Sequence, residues 1–268
     1  MAQDIFIGTA GIPASAKGSG AVEGVRRVAE LGLAAMEVEF VYGVNMGAAA
    51  AKELGEAARE AGVRLSVHAP YYINLCADDR KKLAASKKRI MDSAERGEAM
   101  HTSVIAFHPG FYGKLDKAEA FDRVAAACTE LSDNAPKNVK LGLETTGKSG
   151  AFGTLDEIVE ICKSVHGCVP VVDFAHVYAR QGGKIDYGKV FDALEPLKLE
   201  HVHAHFSGIE YTPKGERNHV PIGKPPFKPL AQEILKRKLS ITLISESPLL
   251  EMDALRMKRV LELLGRAF

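Results

Sequence analysis

Cysteine is scarce in this chain, and long hydrophobic runs are missing. The 268 residues include four cysteines, and no two of them have the C-x-x-C spacing of a redox or zinc motif. We therefore expect buried thiols in place of a disulfide framework. No segment approaches the ~20 apolar residues that a membrane span needs, and the first residues lack the basic and apolar regions of a signal peptide. The sequence thus predicts a cytoplasmic protein with no membrane partner.

A strong charge of either sign is also missing. The chain has 35 Lys and Arg against 34 Asp and Glu, which leaves a formal net charge of +1. Proteins that hold nucleic acid through a general basic field carry a large excess of positive charge. Any contact with DNA must therefore come from a local patch. Apolar residues make up 46% and charged residues 26% of the chain, which is typical of a globular protein and excludes a disordered one.

Short apolar runs alternate with longer segments of helical period along the chain, as in proteins whose parallel strands are covered by helices. Eight such units are predicted, with strands at 5–8, 35–40, 64–68, 103–108, 139–144, 169–173, 201–205 and 241–246. No linker rich in Ser, Gly or Pro divides them. The pattern predicts a single (β/α)8 TIM barrel over residues 1–268, and we expect a monomer.

The alternative fold is a doubly wound open sheet. That fold needs a glycine-rich phosphate loop after an early strand, and residues 8–11 are too short for one and are followed by Pro13. Two helix starts can also be located. Asp116 with Glu119 resembles an N-terminal cap, and Thr154 with Glu157 predicts a capping box.

Residues that can bind a metal recur at or near the ends of the last six predicted strands. They are His68, His108, Glu144, Asp173, His203 and Glu246. Singly, each would be a hydrogen-bonded rim residue or a helix cap, but the strand ends of a barrel converge on one mouth. Nitrogen and oxygen ligands together favour Zn²⁺, Mn²⁺ or Fe. Six ligands are too many for one tetrahedral zinc, so we predict at least two ions with Glu144 between them.

Seven short motifs between residues 64 and 248 occur in an order typical of one enzyme family. They are SVHAPYYINL at 66–75, FHPG at 107–110, LETT at 143–146, DFAH at 173–176, HAHFS at 203–207, NH at 218–219 and SESP at 245–248. In this order the motifs resemble endonuclease IV, a member of AP endonuclease family 2 within the xylose isomerase-like TIM barrels. The resemblance implies a zinc-dependent hydrolase that cuts DNA 5′ to abasic sites in base-excision repair.

The resemblance also implies which residues hold the two or three zinc ions. A first ion would take His68, His108 and Glu144, and a second would take Glu144, Asp173, His203 and Glu246. A third would take His176 and His219, together with an Asp two residues before the second His. Arg217 stands in that place. The nearest acid, Glu216, could serve only if the backbone shifts there, so we expect the third ion to be weakly held or missing.

Further residues are assigned to catalysis and to the substrate. Glu144 and Glu246 are the candidate catalytic carboxylates, and Arg217 could clamp a phosphate oxygen in place of a third ion. Tyr71 and Asn74 match family residues that contact DNA beside the lesion. Lys214 belongs to a basic loop that could follow the phosphates. The loop after the second strand, residues 41–46, lacks the Arg that the family places there.

Two other function classes stay open. One is a sugar isomerase or epimerase of the same barrel superfamily, which needs one divalent ion and two carboxylates as acid and base. The neutral net charge and the missing Arg favour it, whereas the His176 and His219 pair, which isomerases seldom need, favours the phosphodiesterase. The other is a metal-binding barrel without activity, which the complete ligand sets for two ions disfavour.

Overall fold

The computed structural model describes residues 3–18 and 20–268, and in them the chain forms twelve β-strands and nine α-helices. The strands are β1 Ile5–Ala10, β2 Ala35–Glu39, β3 Arg64–His68, β4 Val104–Phe107, β5 Gly110–Phe111, β6 Lys140–Glu144, β7 Ala151–Phe152, β8 Cys168–Asp173, β9 Val202–Phe206, β10 Gly208–Thr212, β11 Gly215–Val220 and β12 Ile241–Ser245. The helices are α1 Ala21–Glu30, α2 Ala48–Ala61, α3 Arg80–Ala99, α4 Lys117–Asn134, α5 Leu155–Ser164, α6 Phe174–Arg180, α7 Tyr187–Leu194, α8 Phe227–Arg237 and α9 Glu251–Leu263.

Eight of these strands form a closed parallel barrel. Their order is β1, β12, β9, β8, β6, β4, β3 and β2, and the pairing of β2 with β1 closes the ring. All eight predicted strands are present, and no predicted boundary is displaced by more than two residues. Parallel neighbours need crossover connections, which the helices supply. The predicted (β/α)8 TIM barrel is therefore confirmed. The extent of the domain over residues 1–268 stays a prediction, and positions 1, 2 and 19 lie outside the described residues.

The helices begin where the sequence predicts caps. The Asp116 side chain accepts the backbone N–H of Glu119 at the start of α4, and the Thr154 side chain accepts that of Glu157 at the start of α5. In both cases the glutamate returns a hydrogen bond, which completes a capping box. The four cysteines are free; Cys162 is half-buried and the other three are buried.

Two small antiparallel sheets extend the mouth of the barrel. The β10–β11 hairpin follows directly after β9, and the short strands β5 and β7 pair with each other. A backbone bridge between Lys148 and Gly215 ties the loop after β6 to the hairpin. Within the described residues, no helix has the length and apolar character to cross a membrane.

Candidate metal centre

Histidine and carboxylate side chains gather inside the barrel in four overlapping groups. Within each group the potential ligand atoms lie within 4.8 Å of one another. We name them the first group (His68, His108, Glu144), the second group (Glu144, Asp173, His205, Glu246), the third group (Asp173, His176, His219) and the deep group (Glu37, His203, His205). TIM-barrel interiors are normally filled with bulky branched side chains. The polar interior of this barrel therefore requires a chemical explanation.

The first group is built on Glu144, at the end of β6. Its Oε2 lies 2.9 Å from Nε2 of His68 and 3.0 Å from Nε2 of His108. Nδ1 of His68 is 2.9 Å from the carbonyl oxygen of Ala69, which assigns the ring proton to Nδ1 and leaves Nε2 facing the carboxylate. Burial alone would lower the pKa of His68, but the hydrogen bond to Glu144 and the nearby carboxylates raise it to about 10. A positive charge is thus favoured at this point.

The second group shares Glu144 with the first. Nδ1 of His205 lies 3.3 Å from Oε1 of Glu144 and 3.1 Å from Oε1 of Glu246. Burial would raise the pKa of Glu144, but the charges of His108 and His205 hold it well below its usual range. Burial raises the pKa of Asp173 to about 6. Each oxygen of Glu144 therefore faces a different group, as in a carboxylate that bridges two ions.

In the third group two imidazoles face each other. Nε2 of His176 is 3.2 Å from Nε2 of His219, and Nδ1 of His176 is 3.0 Å from the carbonyl oxygen of Thr145. Oε2 of Glu216 also lies 3.2 Å from Nε2 of His176, and it accepts the backbone N–H of Gly147. The third group thus offers two imidazoles and the carboxylate of Asp173 to one cation, and Glu216 adds a second carboxylate on the side of His176.

A β-bulge places Glu216 at the third group. In the hairpin, Tyr211 lies opposite Glu216 and Glu210 lies opposite Asn218, so Arg217 is an extra residue. In a regular strand Arg217 would share the face of His219, because alternate residues point the same way. The extra residue reverses that alternation and brings Glu216 to the face of His219. Arg217 is exposed. The expectation that Arg217 occupies the position of a third-ion ligand is therefore wrong.

The positions of β9 give a second correction. His203 and His205 both point into the barrel, but in the register of β8 and β9 it is His205 that lies opposite Asp173, whereas His203 lies opposite Val171, one level deeper. His205 therefore belongs to the second group, in the place where His203 is expected from the sequence. His203 binds Glu37 instead, with 2.8 Å between Nε2 and Oε2.

Sequence reasoning missed Glu37 and His205. A signal for Glu37 exists: it is an acid within the predicted apolar strand 35–40, and it is completely buried. A signal for His205 also exists, because His68, Glu144 and Asp173 end their strands and His205 is closer to the end of β9 than His203.

Several ligand atoms have no hydrogen-bond partner among the described residues although they are buried. They are Oε1 of Glu144, Oδ2 of Asp173, Nε2 of His108 and Nδ1 of His205. Buried polar atoms are normally hydrogen-bonded.

Two ligands of one tetrahedral zinc ion lie about 3.3 Å apart, given zinc–ligand bonds of about 2.0–2.1 Å. The nitrogen–oxygen separations of 2.9 to 3.3 Å in the first and second groups are close to that value. The residues therefore fit divalent ions.

The predicted substrate residues lie at the mouth with different surroundings. Tyr71 is 55% exposed, and its ring centroid is 6.1 Å from that of His68. Lys214 is exposed at the turn of the hairpin. Asn74 is engaged within the fold, because its Oδ1 accepts the backbone N–H groups of Cys76 and Phe111 at 3.1 and 3.2 Å. The carbonyl end of Asn74 is therefore used to join two loops.

Comparison with known proteins places these residues in a family. The family model described as xylose isomerase-like TIM barrel matches residues 25–264. The uncharacterized protein MJ0133 of Methanocaldococcus jannaschii is 37% identical over 265 residues, which cover 93% of this chain and 94% of that protein. A probable endonuclease 4 of Acholeplasma laidlawii is 32% identical over 113 residues, 40% of this chain and 38% of that relative. The chain thus matches little more than a third of the latter protein.

Solved structures of two functional classes share the fold. Endonuclease IV from Thermus thermophilus superposes with a TM-score of 0.70 at 19% identity and covers 95% of this chain and 98% of its own. A D-psicose 3-epimerase crystallised in the presence of D-fructose has a TM-score of 0.67 at 18% identity. The match covers 92% of this chain and 89% of the epimerase chain. These likenesses establish the fold alone. Taken with the extent of the family match, they lead to one conclusion: the chain belongs to the xylose isomerase-like TIM barrel family.

Proposed function

We propose that the protein is a metal-dependent phosphodiesterase that hydrolyses DNA 5′ to abasic sites, with Zn²⁺ as the preferred ion. The observation that carries the proposal is the position of Glu144, which faces the first group with one oxygen and the second group with the other. The third group lies directly beside them, with Nδ1 of His176 3.2 Å from Oε1 of Glu144. An enzyme that uses a single ion has no need of so many ligands. The partial match to a probable endonuclease 4 supports DNA as the substrate.

Divalent ions bound by these groups would supply a strong nucleophile at neutral pH and neutralise the charge that develops on the phosphate and on the leaving oxygen. Glu144 would place its negative charge between the two neighbouring cation sites and so reduce the repulsion between their ions. Glu246 is partly exposed at the mouth, with Oε1 3.1 Å from His205 and Oε2 3.7 Å from His219. It is therefore the carboxylate best placed to accept a proton from an attacking water at Oε2.

The rim of the mouth suits a nucleic-acid backbone. Lys148, Lys214 and Arg217 lie on the loop and hairpin that the bridge to Gly215 joins, and the hairpin carries His219 of the third group. Arg217 is therefore proposed as an external phosphate contact, because guanidinium pairs with phosphate through two hydrogen bonds. Tyr71 is exposed on the opposite loop, next to His68, and is proposed to stack beside the lesion.

The proposal is tested with a labelled duplex that carries one tetrahydrofuran abasic analogue. We expect a single cut 5′ to the analogue, no cut in the matched intact duplex, and no cut after treatment with a chelator. Because phosphate contacts release counterions, each contact should contribute about −0.9 to the slope of log kcat/KM against log salt concentration. Lys214→Ala should make that slope shallower by about 0.9, the contribution of one phosphate contact. Lys52→Ala should leave the slope unchanged, because Lys52 is exposed on α2. An abasic duplex left intact at low salt by metal-loaded protein would refute the proposal.

Replacing Tyr71 with Ala should lower the preference for abasic over intact duplex by about 10-fold, since stacking of a base on an aromatic ring contributes about 1–3 kcal/mol. The metal content should stay unchanged, because the Tyr71 side chain belongs to none of the ligand groups. Competition between the two duplexes in one reaction measures the preference. Phe268→Ala is the matched control, since Phe268 is an aromatic residue of similar exposure, 51%, close to the end of the chain. An unchanged preference in Tyr71→Ala would remove the stacking role.

A second candidate function is a sugar epimerase that uses one ion. The second group alone offers three carboxylates and an imidazole to a single cation, and a D-psicose 3-epimerase shares the fold. Glu144 and Glu246 would then serve as the acid and the base. Incubation of Mn²⁺-loaded protein with ketohexoses decides between the two, since conversion of the sugar without any cleavage of abasic duplex would favour the epimerase.

A further inference from the structure

Glu37 lies beneath the metal centre and is approached by three polar side chains. The carboxylate belongs to β2 and has no exposed surface. Its Oε2 accepts the hydroxyl of Ser66 at 2.6 Å and lies 2.8 Å from Nε2 of His203. Its Oε1 lies 2.8 Å from Nε2 of His205. The carboxylate is thus held from β3 and from two positions of β9.

His205 connects this carboxylate to the second group. Its Nδ1 faces Glu144 and Glu246, and its Nε2 faces Glu37. An imidazole that binds a metal does so through the nitrogen without a proton, and the other nitrogen normally donates its proton to an oxygen that fixes the orientation of the ring.

We propose that Glu37 is a positioning residue of the metal centre, which accepts the Nε2 proton of His205 and so leaves Nδ1 free to bind the ion of the second group. The inference rests on the metal centre of the proposed function and adds to it a residue that touches neither the ion nor the substrate. Ser66 and His203 serve the same end, because they stop the carboxylate from rotating.

A proton between His205 and Glu37 accounts for their short contact without a further metal ion in the deep group. Nε2 of His205 and Oε1 of Glu37 are both buried, and neither has another polar partner among the described residues. Two lone pairs 2.8 Å apart would repel each other, so a proton or a cation must lie between them. The separation is within the 2.7–2.9 Å typical of a charge-assisted hydrogen bond. The two donors on Oε2 already occupy the other oxygen.

The test is a Co²⁺ titration of metal-free wild-type protein and Glu37→Gln, followed by the visible absorption of the bound ion. We expect the affinity at the second group to fall about 10- to 100-fold, as for other partners of metal-binding histidines. The ion of the third group should bind as in the wild type. Glu53→Gln is the control for charge removal, because Glu53 is an exposed carboxylate on α2 and belongs to none of the ligand groups. Ser66→Ala, which removes only one donor to Glu37, should weaken binding in the same direction by about fivefold.

A spectroscopic measurement separates positioning from a general loss of structure. In Zn²⁺-loaded protein with ¹⁵N-labelled histidine, we expect one protonated Nε2 that is protected from exchange and assigned to His205, and we expect that protection to be lost in Glu37→Gln. Identical titrations and imidazole spectra for the wild type and Glu37→Gln would overturn this inference alone. A fourth ion per chain in the wild type that Glu37→Gln lacks would overturn it in favour of a metal in the deep group. A wild-type protein that bound no divalent ion would overturn it together with the proposed function.

Discussion

Replacing Glu144 with Gln should reduce the metal content from three ions to one and lower cleavage of an abasic duplex by about 10³-fold or more. The change keeps the shape of the side chain but removes the charge that faces both the first and the second group. Loss of electrostatic stabilisation of this kind lowers turnover by about 10²–10³-fold for a single donor, and here two cation sites are affected together. Elemental analysis and the cleavage assay measure the two effects on the same preparation.

The fold should survive this change, because the barrel is held by a large apolar core around the metal-binding interior. Circular dichroism and the thermal transition of the metal-free proteins should therefore be similar for the wild type and Glu144→Gln. Glu60→Gln, an exposed carboxylate on α2, is the control for charge removal and should change neither the metal content nor the activity. Full activity of Glu144→Gln would exclude a bridging carboxylate.

Replacing Glu216 with Gln should remove one ion of the three and lower activity by about 100-fold. The bulge at Arg217 brings Oε2 of Glu216 to 3.2 Å from Nε2 of His176, so this carboxylate adds its negative charge beside the third group. The neutral amide would bind a cation more weakly, because the Coulomb attraction is lost. Metal content by elemental analysis measures the loss directly.

The neighbouring residue supplies the matched control for this prediction. Arg217→Gln should retain all three ions, since the side chain of Arg217 is exposed and lies outside the third group. It should weaken DNA binding at low salt by removing a phosphate contact. Loss of the third ion in Arg217→Gln, with retention in Glu216→Gln, would show that the alternation in the hairpin is not the one described.

The sequence was sufficient to locate the barrel strands because most are short and largely apolar, as in β4 and β12, and lie between polar segments of helical period. It also located most members of the four groups, since His68, Glu144 and Asp173 are the last residues of their strands. The end of a strand is a feature of the chain itself, and the closing of the barrel then brings all such ends together.

Two properties cannot be read from the sequence pattern: how deep a side chain lies inside the barrel, and which side chains share a face of a strand that contains a bulge. His203 and His205 have the same inward direction, and only the register with β8 decides which one is level with Asp173. Glu216 and Arg217 are likewise distinguished only by the bulge, which depends on the pairing of two strands. Glu37 was missed for a related reason, because its role depends on side chains from two other strands.

The most direct test of the metal centre is the number of ions bound per chain by the reconstituted wild-type protein, measured by elemental analysis after excess metal is removed. Three ligand groups, with Glu144 shared by two of them and Glu216 beside the third, predict three ions per chain, with zinc preferred. A single tightly bound ion, most of all Mn²⁺, would contradict the polynuclear centre and with it the phosphodiesterase.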